Sequence, residues 1–355
     1  LWSTIFRYGQ VMLKEDTNTM SFIEVNNLVK DYKINVKKKG LLGAIQSLMI
    51  PEYKMIRAVD DITFSINKGE MVGFIGPNGA GKSTTVKMLT GILVPTSGTI
   101  VTGGLSPHSD RKKNAARIGA VFGQRTQMWW DLPAEDTFDL LRHVYKIPEK
   151  RFKANMDMFN ELLGLNEFIS KPVRQLSLGQ RMRADIAASL IHDPEIVFFD
   201  EPTIGLDVVA KQRVRDFVKH MNKEKKITML FTTHDMDDIE KTCERMLIID
   251  KGKIIYNGTT DDIKKRYAKY RTLIIDFIEK PTGIEIPGVE VHEDKGNKVQ
   301  FRFIKDEVSA QHLISSLAQK YEISDFTIQE TEVESIIREI YEGGIKCDES
   351  LCGVC

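Results

Sequence analysis

The 355-residue sequence has no apolar run near the ~18 residues that are needed to cross a bilayer, so we do not expect this chain to span a membrane by itself. It has no excess of either charge, because 50 lysines and arginines balance 50 aspartates and glutamates. Nucleic-acid-binding proteins more often carry a basic excess, so nucleic acid is not expected as a partner. The first residues lack the apolar core of a secretory signal, since Lys14, Glu15 and Asp16 interrupt it. Met20 precedes a strand-like start, so residues 1–20 are expected to be an upstream or disordered extension.

Cysteine is scarce, with four in the chain, and three of them lie in the predicted tail, 346–355. Cys347, Cys352 and Cys355 have the spacing C-x4-C-x2-C, which matches part of a plant-type iron–sulfur pattern, but no fourth ligand follows. The alternative is a frayed tail of reduced thiols. Neither interpretation provides a disulfide framework, and this suits a reducing compartment.

Residues 76–83 carry the most specific pattern in the sequence, G-x-x-x-x-G-K-[ST]. Glycines at the fixed positions let backbone N–H groups point at phosphate oxygens, the lysine adds a charge, and the serine hydroxyl suits Mg²⁺. An apolar run, 71–75, precedes this loop and a helical pattern follows it, which favours a nucleotide site over an ordinary glycine-rich turn. The candidate phosphate-binding residues are Gly76, Pro77, Asn78, Gly79, Ala80, Gly81, Lys82, Ser83 and Thr84.

Polar residues close three further apolar runs. Asp200 and Glu201 follow 195–199, His234 follows 227–232, and Gln124 follows 118–123. Because ligands of parallel sheets collect at the carboxyl ends of strands, we expect these side chains near the phosphate loop. Asp200 would hold Mg²⁺, Glu201 would deprotonate the attacking water, His234 would contact the terminal phosphate, and Gln124 would touch both metal and water. The alternatives are solvated loop acids and a structural histidine.

Residues 176–180 read Leu-Ser-Leu-Gly-Gln. Ser177 and Gln180 form an S-x-x-Q capping box, and Gly179 leaves room for close backbone approach. The helix that follows would present a positively polarised N-terminus to an anion. Helix capping alone is the alternative.

Together these motifs resemble the ATP-binding-cassette (ABC) ATPases over residues 21 to about 260. The resemblance identifies 76–83 as the Walker A motif, Gln124 as the Q-loop, Asp200 and Glu201 as the Walker B pair, and 176–180 as a variant of the signature LSGGQ. It also implies that Asp207 is the D-loop aspartate, that His234 is the switch histidine and that adenine stacks on Tyr32.

The resemblance extends to bacterial exporter-type subunits of ABC-2 systems, similar to antibiotic-efflux and viologen-exporter ATPases. It implies that ATP and Mg²⁺ are bound between two cassettes of a homodimer or heterodimer, each ATP lying between the Walker A of one and the signature of the other. Separate transmembrane permease subunits would carry the cargo, with this chain peripheral on the cytoplasmic face of the cell membrane. An ABC-type regulatory ATPase that moves no cargo is the alternative.

The predicted fold class is α/β, a P-loop NTPase cassette at 21–265 whose mainly parallel sheet has an antiparallel part, with a small α+β domain at 270–345. A helical subdomain is expected at about 130–192. Strands are predicted at 271–278 and 298–304. Helices are predicted at 310–320 and 334–341.

Two segments have open interpretations. Residues 33–57 form a basic insertion with apolar residues at helical spacing, which would rest on an anionic membrane or a partner, or would be an ordinary surface helix. Trp129 and Trp130 would line a groove for the permease or fill the core.

Overall fold

The computed structural model describes residues 21–35, 53–123, 125–267, 270–284, 286–330 and 335–337. The predicted extension at 1–20, most of the insertion at 33–57, Gln124 and the cysteine tail lie outside these ranges. Of the helix predicted at 334–341, residues 335–337 are described, and they are helical.

Thirteen strands lie in the described residues. They are β1 (Ser21–Asn35), β2 (Tyr53–Asn67), β3 (Met71–Ile75), β4 (Ser97–Thr102), β5 (Ile118–Phe122), β6 (Ile196–Asp200), β7 (Thr228–Thr233), β8 (Arg245–Asp250), β9 (Lys253–Thr259), β10 (Tyr270–Phe277), β11 (Val289–Lys295), β12 (Lys298–Ile304) and β13 (Ile323–Glu330).

Nine α-helices accompany these strands in the same part of the chain. They are α1 (Lys82–Leu89), α2 (Arg111–Ala115), α3 (Ala134–Val144), α4 (Glu149–Leu163), α5 (Leu178–Leu190), α6 (Val208–Lys225), α7 (Met236–Thr242), α8 (Thr260–Tyr267) and α9 (Ala310–Ala318). No described helix combines the length and the apolar character that a membrane crossing requires.

A six-stranded sheet in the order β5-β6-β7-β3-β8-β9 forms the centre of the cassette. Its first five strands are parallel and β9 runs antiparallel to β8. The apolar runs predicted this, because strands covered on both faces must be apolar throughout, as the fully buried β6 and β7 are. The mainly parallel α/β class is therefore confirmed.

A second sheet, β2-β1-β4, is antiparallel. Its β1–β2 ribbon continues to the pair Asn35 and Tyr53, so the outer parts of the predicted insertion, 33–35 and 53–57, are strand residues. Ile34, Tyr53, Met55 and Ile56 on this ribbon are exposed.

Three helices, α3, α4 and α5, lie between β5 and β6, and two short 3-10 turns separate α4 from α5. Their apolar faces meet in one buried cluster that includes Phe138, Phe159 and Phe168 and continues into the sheet at Phe199. This continuous core sets the position of α5 relative to β6.

The remaining strands form a four-stranded antiparallel sheet in the order β11-β12-β10-β13. Leu313 and Leu317 of α9 lie in one apolar cluster with Leu273, Ile275 and Phe301 of this sheet. The strands predicted at 271–278 and 298–304 and the helix at 310–320 are present. β11 and β13 were not predicted, because both are edge strands with mostly exposed residues and no apolar run.

Candidate functional site

The phosphate loop connects the end of β3 to the start of α1, in the order that the motif predicts. Gly81 has a φ of 113°, which residues with a Cβ rarely adopt. A Cβ on Gly76 would lie 2.3 Å from the carbonyl oxygen of Ile249, so this position also requires glycine. The loop folds tightly, with the Ala80 N–H donating to the Pro77 carbonyl at 3.1 Å. Pro77, Asn78 and Gly79 are exposed and Ala80 is buried, as a loop open to a ligand on one side requires.

Lys82 turns back over this loop. Its Nζ donates to the carbonyl oxygens of Gly76 at 2.6 Å and Pro77 at 3.3 Å, and only 4% of the residue is exposed. The same Nζ lies 3.5 Å from Oε1 of Glu201. Thr84, also predicted to contact phosphate, is half-buried in the first turn of α1. The Lys82 ammonium group is thus held at the phosphate loop, where it can reach the outer phosphates of a bound nucleotide.

Three oxygens converge beside the loop. The hydroxyls of Ser83 and Thr232 donate to Oδ1 of Asp200 at 3.1 and 2.8 Å. Burial raises the pKa of Asp200 above its usual value, while these two hydrogen bonds lower it. Hydroxyl and carboxylate oxygens are the ligands that Mg²⁺ prefers, so Ser83 and Asp200 fit the metal role that the sequence predicted.

Glu201 occupies a strained position directly after β6. Its φ is 54°, in the left-handed region, and its N–H donates to the carbonyl and hydroxyl oxygens of Thr232, both at 3.1 Å. Oε2 of Glu201 lies 3.7 Å from Nδ1 of His234. Left-handed non-glycine residues cluster at active sites, where surrounding contacts hold them. The carboxylate is thereby placed between Lys82 and His234.

Ser83, Asp200 and Glu201 line a cleft of about 440 Å³. Its lining residues are Asn78, Ser83, Lys87, Ile92, Phe122, Gly123, Arg125, Asp200, Glu201 and Ile204. The cations Lys87 and Arg125 were not predicted from the sequence. The signal for Lys87 was available, because it lies four residues after Ser83 and so on the same face of α1. Arg125 directly follows Gln124, which lies outside the described residues.

The capping box predicted at Ser177 is present. The Ser177 hydroxyl accepts from the Gln180 N–H at 3.2 Å, and the Gln180 side chain accepts from the Ser177 N–H at 3.0 Å. Neither residue lines the cleft. A Cβ on Gly179 would lie 3.3 Å from Cβ of Ala210, whose N–H is capped by Asp207 at 2.8 Å. The structure thus brings Gly179 and Asp207 close together through Ala210.

Tyr32 lies on β1 opposite Ile56, half-buried, with Nζ of Lys30 5.5 Å from its ring centre. It is not among the residues that line the cleft, so its role in stacking adenine stays a prediction.

Trp129 and Trp130 are 50% and 48% exposed, and the hypothesis that they fill the core is wrong. A neighbouring groove of about 300 Å³ is lined instead by residues of β5, the segment after it and two helices. Its apolar and aromatic lining includes Ile92, Phe122 and Tyr145. The two tryptophans are not part of that lining.

Comparison with known proteins gives the family. Residues 59–204 match the family described as ABC transporter, and residues 258–339 match the C-terminal domain of DrrA1-3-like ATP-binding proteins. The chain is 33% identical over 225 residues to the ABC transporter ATP-binding protein NatA of Bacillus subtilis, covering 63% of this chain and 90% of NatA. It is 32% identical over 247 residues to the bacitracin transport ATP-binding protein BcrA of Bacillus licheniformis, covering 68% and 79%.

Some longer relatives are matched in part, and the chain covers 36% of the probable multidrug transporter ATP-binding protein YbhF of Escherichia coli. Among solved structures, the cassette MJ0796, described as a dimer in a post-hydrolysis state bound to ADP and phosphate, has a TM-score of 0.55 and 25% identity, covering 67% of this chain and 98% of that one. The resemblance inferred from the motifs is confirmed: the chain belongs to the ABC transporter ATP-binding proteins and contains their ATP-hydrolysing cassette.

Proposed function

We propose that two cassettes, either two copies of this chain or this chain and a similar one, enclose ATP between them and that this closure powers export. The observation that carries the proposal is the position of Ser177. It begins a capped helix whose polarised N-terminus suits an anion, yet it does not line the cleft that Ser83, the neighbour of Lys82, lines together with Glu201. A phosphate bound at Lys82 would meet a Ser177 helix only if a second cassette supplied it. The dimeric description of MJ0796 supports this arrangement.

Within each site the residues divide the chemistry. Lys82 and the loop N–H groups hold the phosphates, and Glu201, placed next to the cleft in a fixed backbone conformation, takes the proton from the attacking water. His234, 3.7 Å from Glu201, orients that carboxylate and contacts the terminal phosphate. Ser83 and Asp200 would hold Mg²⁺, which would neutralise charge that develops on the phosphate oxygens.

In this proposal, closure of the two cassettes is transmitted to a separate membrane subunit. The groove beside the cleft shares Ile92, Phe122 and Arg125 with it, so a helix seated in the groove would contact residues that also line the nucleotide site. The relatives include a bacitracin transport ATP-binding protein, which supports export of such a compound, and a permease partner would hold this chain at the cytoplasmic face of the membrane. Apolar grooves with a few polar groups are common helix-binding sites.

Mixing two disabled variants tests the shared site. Lys82→Ala removes the phosphate lysine and Ser177→Arg blocks the capped helix, both in a Glu201→Gln background that slows hydrolysis. Alone, neither variant should form an ATP-dependent dimer. Mixed, they should form heterodimers that retain about one ATP each, because one subunit supplies Lys82 and the other Ser177.

The control is Ser309→Arg, the same change at the N-cap residue that precedes α9 in the C-terminal sheet domain. Sedimentation with radiolabelled ATP measures both mass and stoichiometry. If the mixture stays monomeric, or if Ser177→Arg alone dimerises as well as Ser309→Arg does, the shared-site proposal fails.

A further inference from the structure

Asp185 is a buried carboxylate in the helix that begins after Ser177, and only 5% of the residue is exposed. Its Oδ1 accepts hydrogen bonds from the Thr126 hydroxyl and the Gln127 N–H, both at 2.9 Å. The Gln127 side-chain amide donates to the Asp185 carbonyl oxygen at 2.8 Å. One residue of α5 therefore makes three hydrogen bonds to the segment that follows Gln124.

Other contacts connect the same segment to residues on either side of the signature, 176–180. The Arg181 guanidinium, four residues before Asp185, lies 5.4 Å from the ring centre of Trp130. The Arg174 N–H donates to the Trp130 carbonyl at 2.9 Å, and the Val173 N–H donates to the Leu132 carbonyl at 3.0 Å. Residues 126–132 are thus bonded to the chain on both sides of Ser177.

Packing alone does not explain an acid at this position. Burial of a carboxylate is costly, and here it raises the pKa of Asp185 to about 6. An apolar side chain of similar size would avoid this cost. The carboxylate instead accepts two directional hydrogen bonds, which fix the positions of residues 126 and 127 along α5. Asp185 also lines the groove beside the nucleotide cleft, so it lies where groove, segment and helix meet.

We infer that Asp185 is a positioning residue that holds residues 126 and 127 against α5, the helix that begins after Ser177, so that Ser177 and the segment beside the nucleotide cleft move as one unit when two cassettes close. This inference rests on the proposed shared site. It predicts that loss of the Asp185 hydrogen bonds leaves the affinity of one cassette for nucleotide unchanged and weakens the association of two cassettes.

The test separates these two steps. In a Glu201→Gln background, sedimentation gives the dissociation constant of the ATP-bound dimer. In a Ser177→Arg background, which keeps the chain monomeric, a fluorescent ATP analogue gives the affinity of a single cassette. The variants are Asp185→Ala, Asp185→Asn and Thr126→Val. Thr126→Val removes the hydroxyl donor, and Thr126 is less buried than Asp185. Ser189→Ala is the matched control, because Ser189 is a buried polar residue of the same helix that bonds to Ile186 of its own helix.

We expect Asp185→Ala and Thr126→Val to raise the dimer dissociation constant by about tenfold or more, since each deletes a hydrogen bond to a charged group. The monomer affinity should stay within about twofold of its original value. Asp185→Asn retains an acceptor oxygen and should recover most of the loss. Acrylamide quenching of tryptophan fluorescence should increase in Asp185→Ala but not in Ser189→Ala, because Trp130 follows closely after the residues that Asp185 holds.

Three results would overturn the inference: an unchanged dimer constant in both Asp185→Ala and Thr126→Val, a parallel loss of monomer affinity, or an equal effect of Ser189→Ala. If Asp185→Ala does not fold, the dimer dissociation constant of Thr126→Val alone tests the inference. Failure of the Glu201→Gln chain with Asp185 intact to dimerise on ATP would instead contradict the proposed function.

Discussion

The Glu201 carboxylate lies 3.5 Å from the Lys82 ammonium group, although 119 positions separate the two residues in the sequence. β3, which leads to Lys82, and β6, which leads to Glu201, are both neighbours of β7, so their carboxyl ends open at the same edge of the sheet. A carboxylate at this edge of the sheet can take a proton from a water molecule that attacks the terminal phosphate.

Replacement of Glu201 by Gln should therefore lower ATP hydrolysis by about 10²–10⁴-fold, the usual contribution of a general base, while ATP binding is retained. Phosphate release and equilibrium binding of labelled ATP measure the two quantities. Glu195→Gln is the control, because Glu195 precedes the same strand and makes only a partly exposed pair with Arg117. Hydrolysis by Glu201→Gln at the original rate would exclude Glu201 as the base.

Gly123 has a direct steric relation to Glu201. A Cβ at this position would lie 2.2 Å from the Glu201 carbonyl oxygen and 3.1 Å from that of Asp200. Gly123→Ala should therefore displace the backbone that carries both acids, lowering hydrolysis by at least about tenfold and the free energy of unfolding by ~1–3 kcal/mol.

Gly104→Ala is the matched control for that substitution. Gly104 has a φ of 78° but no atom within 4 Å of its Cβ position, so this change costs only about 1–2 kcal/mol of backbone strain. Hydrolysis should be unaffected. Urea unfolding and phosphate release check both variants, and equal rates in the two would contradict the steric argument.

The sequence predicted the residues whose positions follow from local rules. Strand ends of a parallel sheet meet at one edge, which placed Asp200 and Glu201 beside the phosphate loop, and the capping box at Ser177 follows from four consecutive residues. Asp185 and Thr126 could not be paired in this way, because they are 59 positions apart and neither belongs to a periodic apolar pattern. Polar contacts between distant segments depend on the packed structure rather than on local pattern.

The same limit explains the missed strands. β13 has exposed residues at nearly every position and pairs with β10 through its backbone. An edge strand that pairs through its backbone needs no apolar pattern in its sequence, whereas the buried strands β6 and β7 require apolar residues throughout.

Arg215 and Asp238 form a buried ion pair that connects α6 to α7. The Arg215 Nε donates to Oδ1 of Asp238 at 2.6 Å, and the Thr203 hydroxyl donates to the other carboxylate oxygen. Asp238 is 0% exposed. Asp238→Asn would leave the Arg215 charge buried without its main partner, which should cost about 3–5 kcal/mol in the free energy of unfolding.

Asp237→Asn is the control for this pair. Asp237 also contacts Arg215, at 2.9 Å, but its side chain is half exposed, so its loss should cost less than about 1 kcal/mol. Urea unfolding of both variants gives the two values. Comparable losses would show that burial does not set the strength of these pairs.

The buried position of Asp185 makes stability depend on pH. Burial raises the pKa of this carboxyl from its usual value near 3.8 to about 6, against the hydrogen bonds from residues 126–128 and the attraction of Arg181. The folded chain therefore binds this proton more tightly than the unfolded chain, so the contribution of this carboxyl to stability is greatest at acid pH and is lost as the pH rises through this range. Asp185→Asn cannot titrate there. Between pH 5 and 7 the original chain should lose ~1 kcal/mol of unfolding free energy relative to Asp185→Asn. Urea unfolding of both at several pH values measures this difference, and a constant difference, or one of opposite sign, would show that burial does not control the carboxyl.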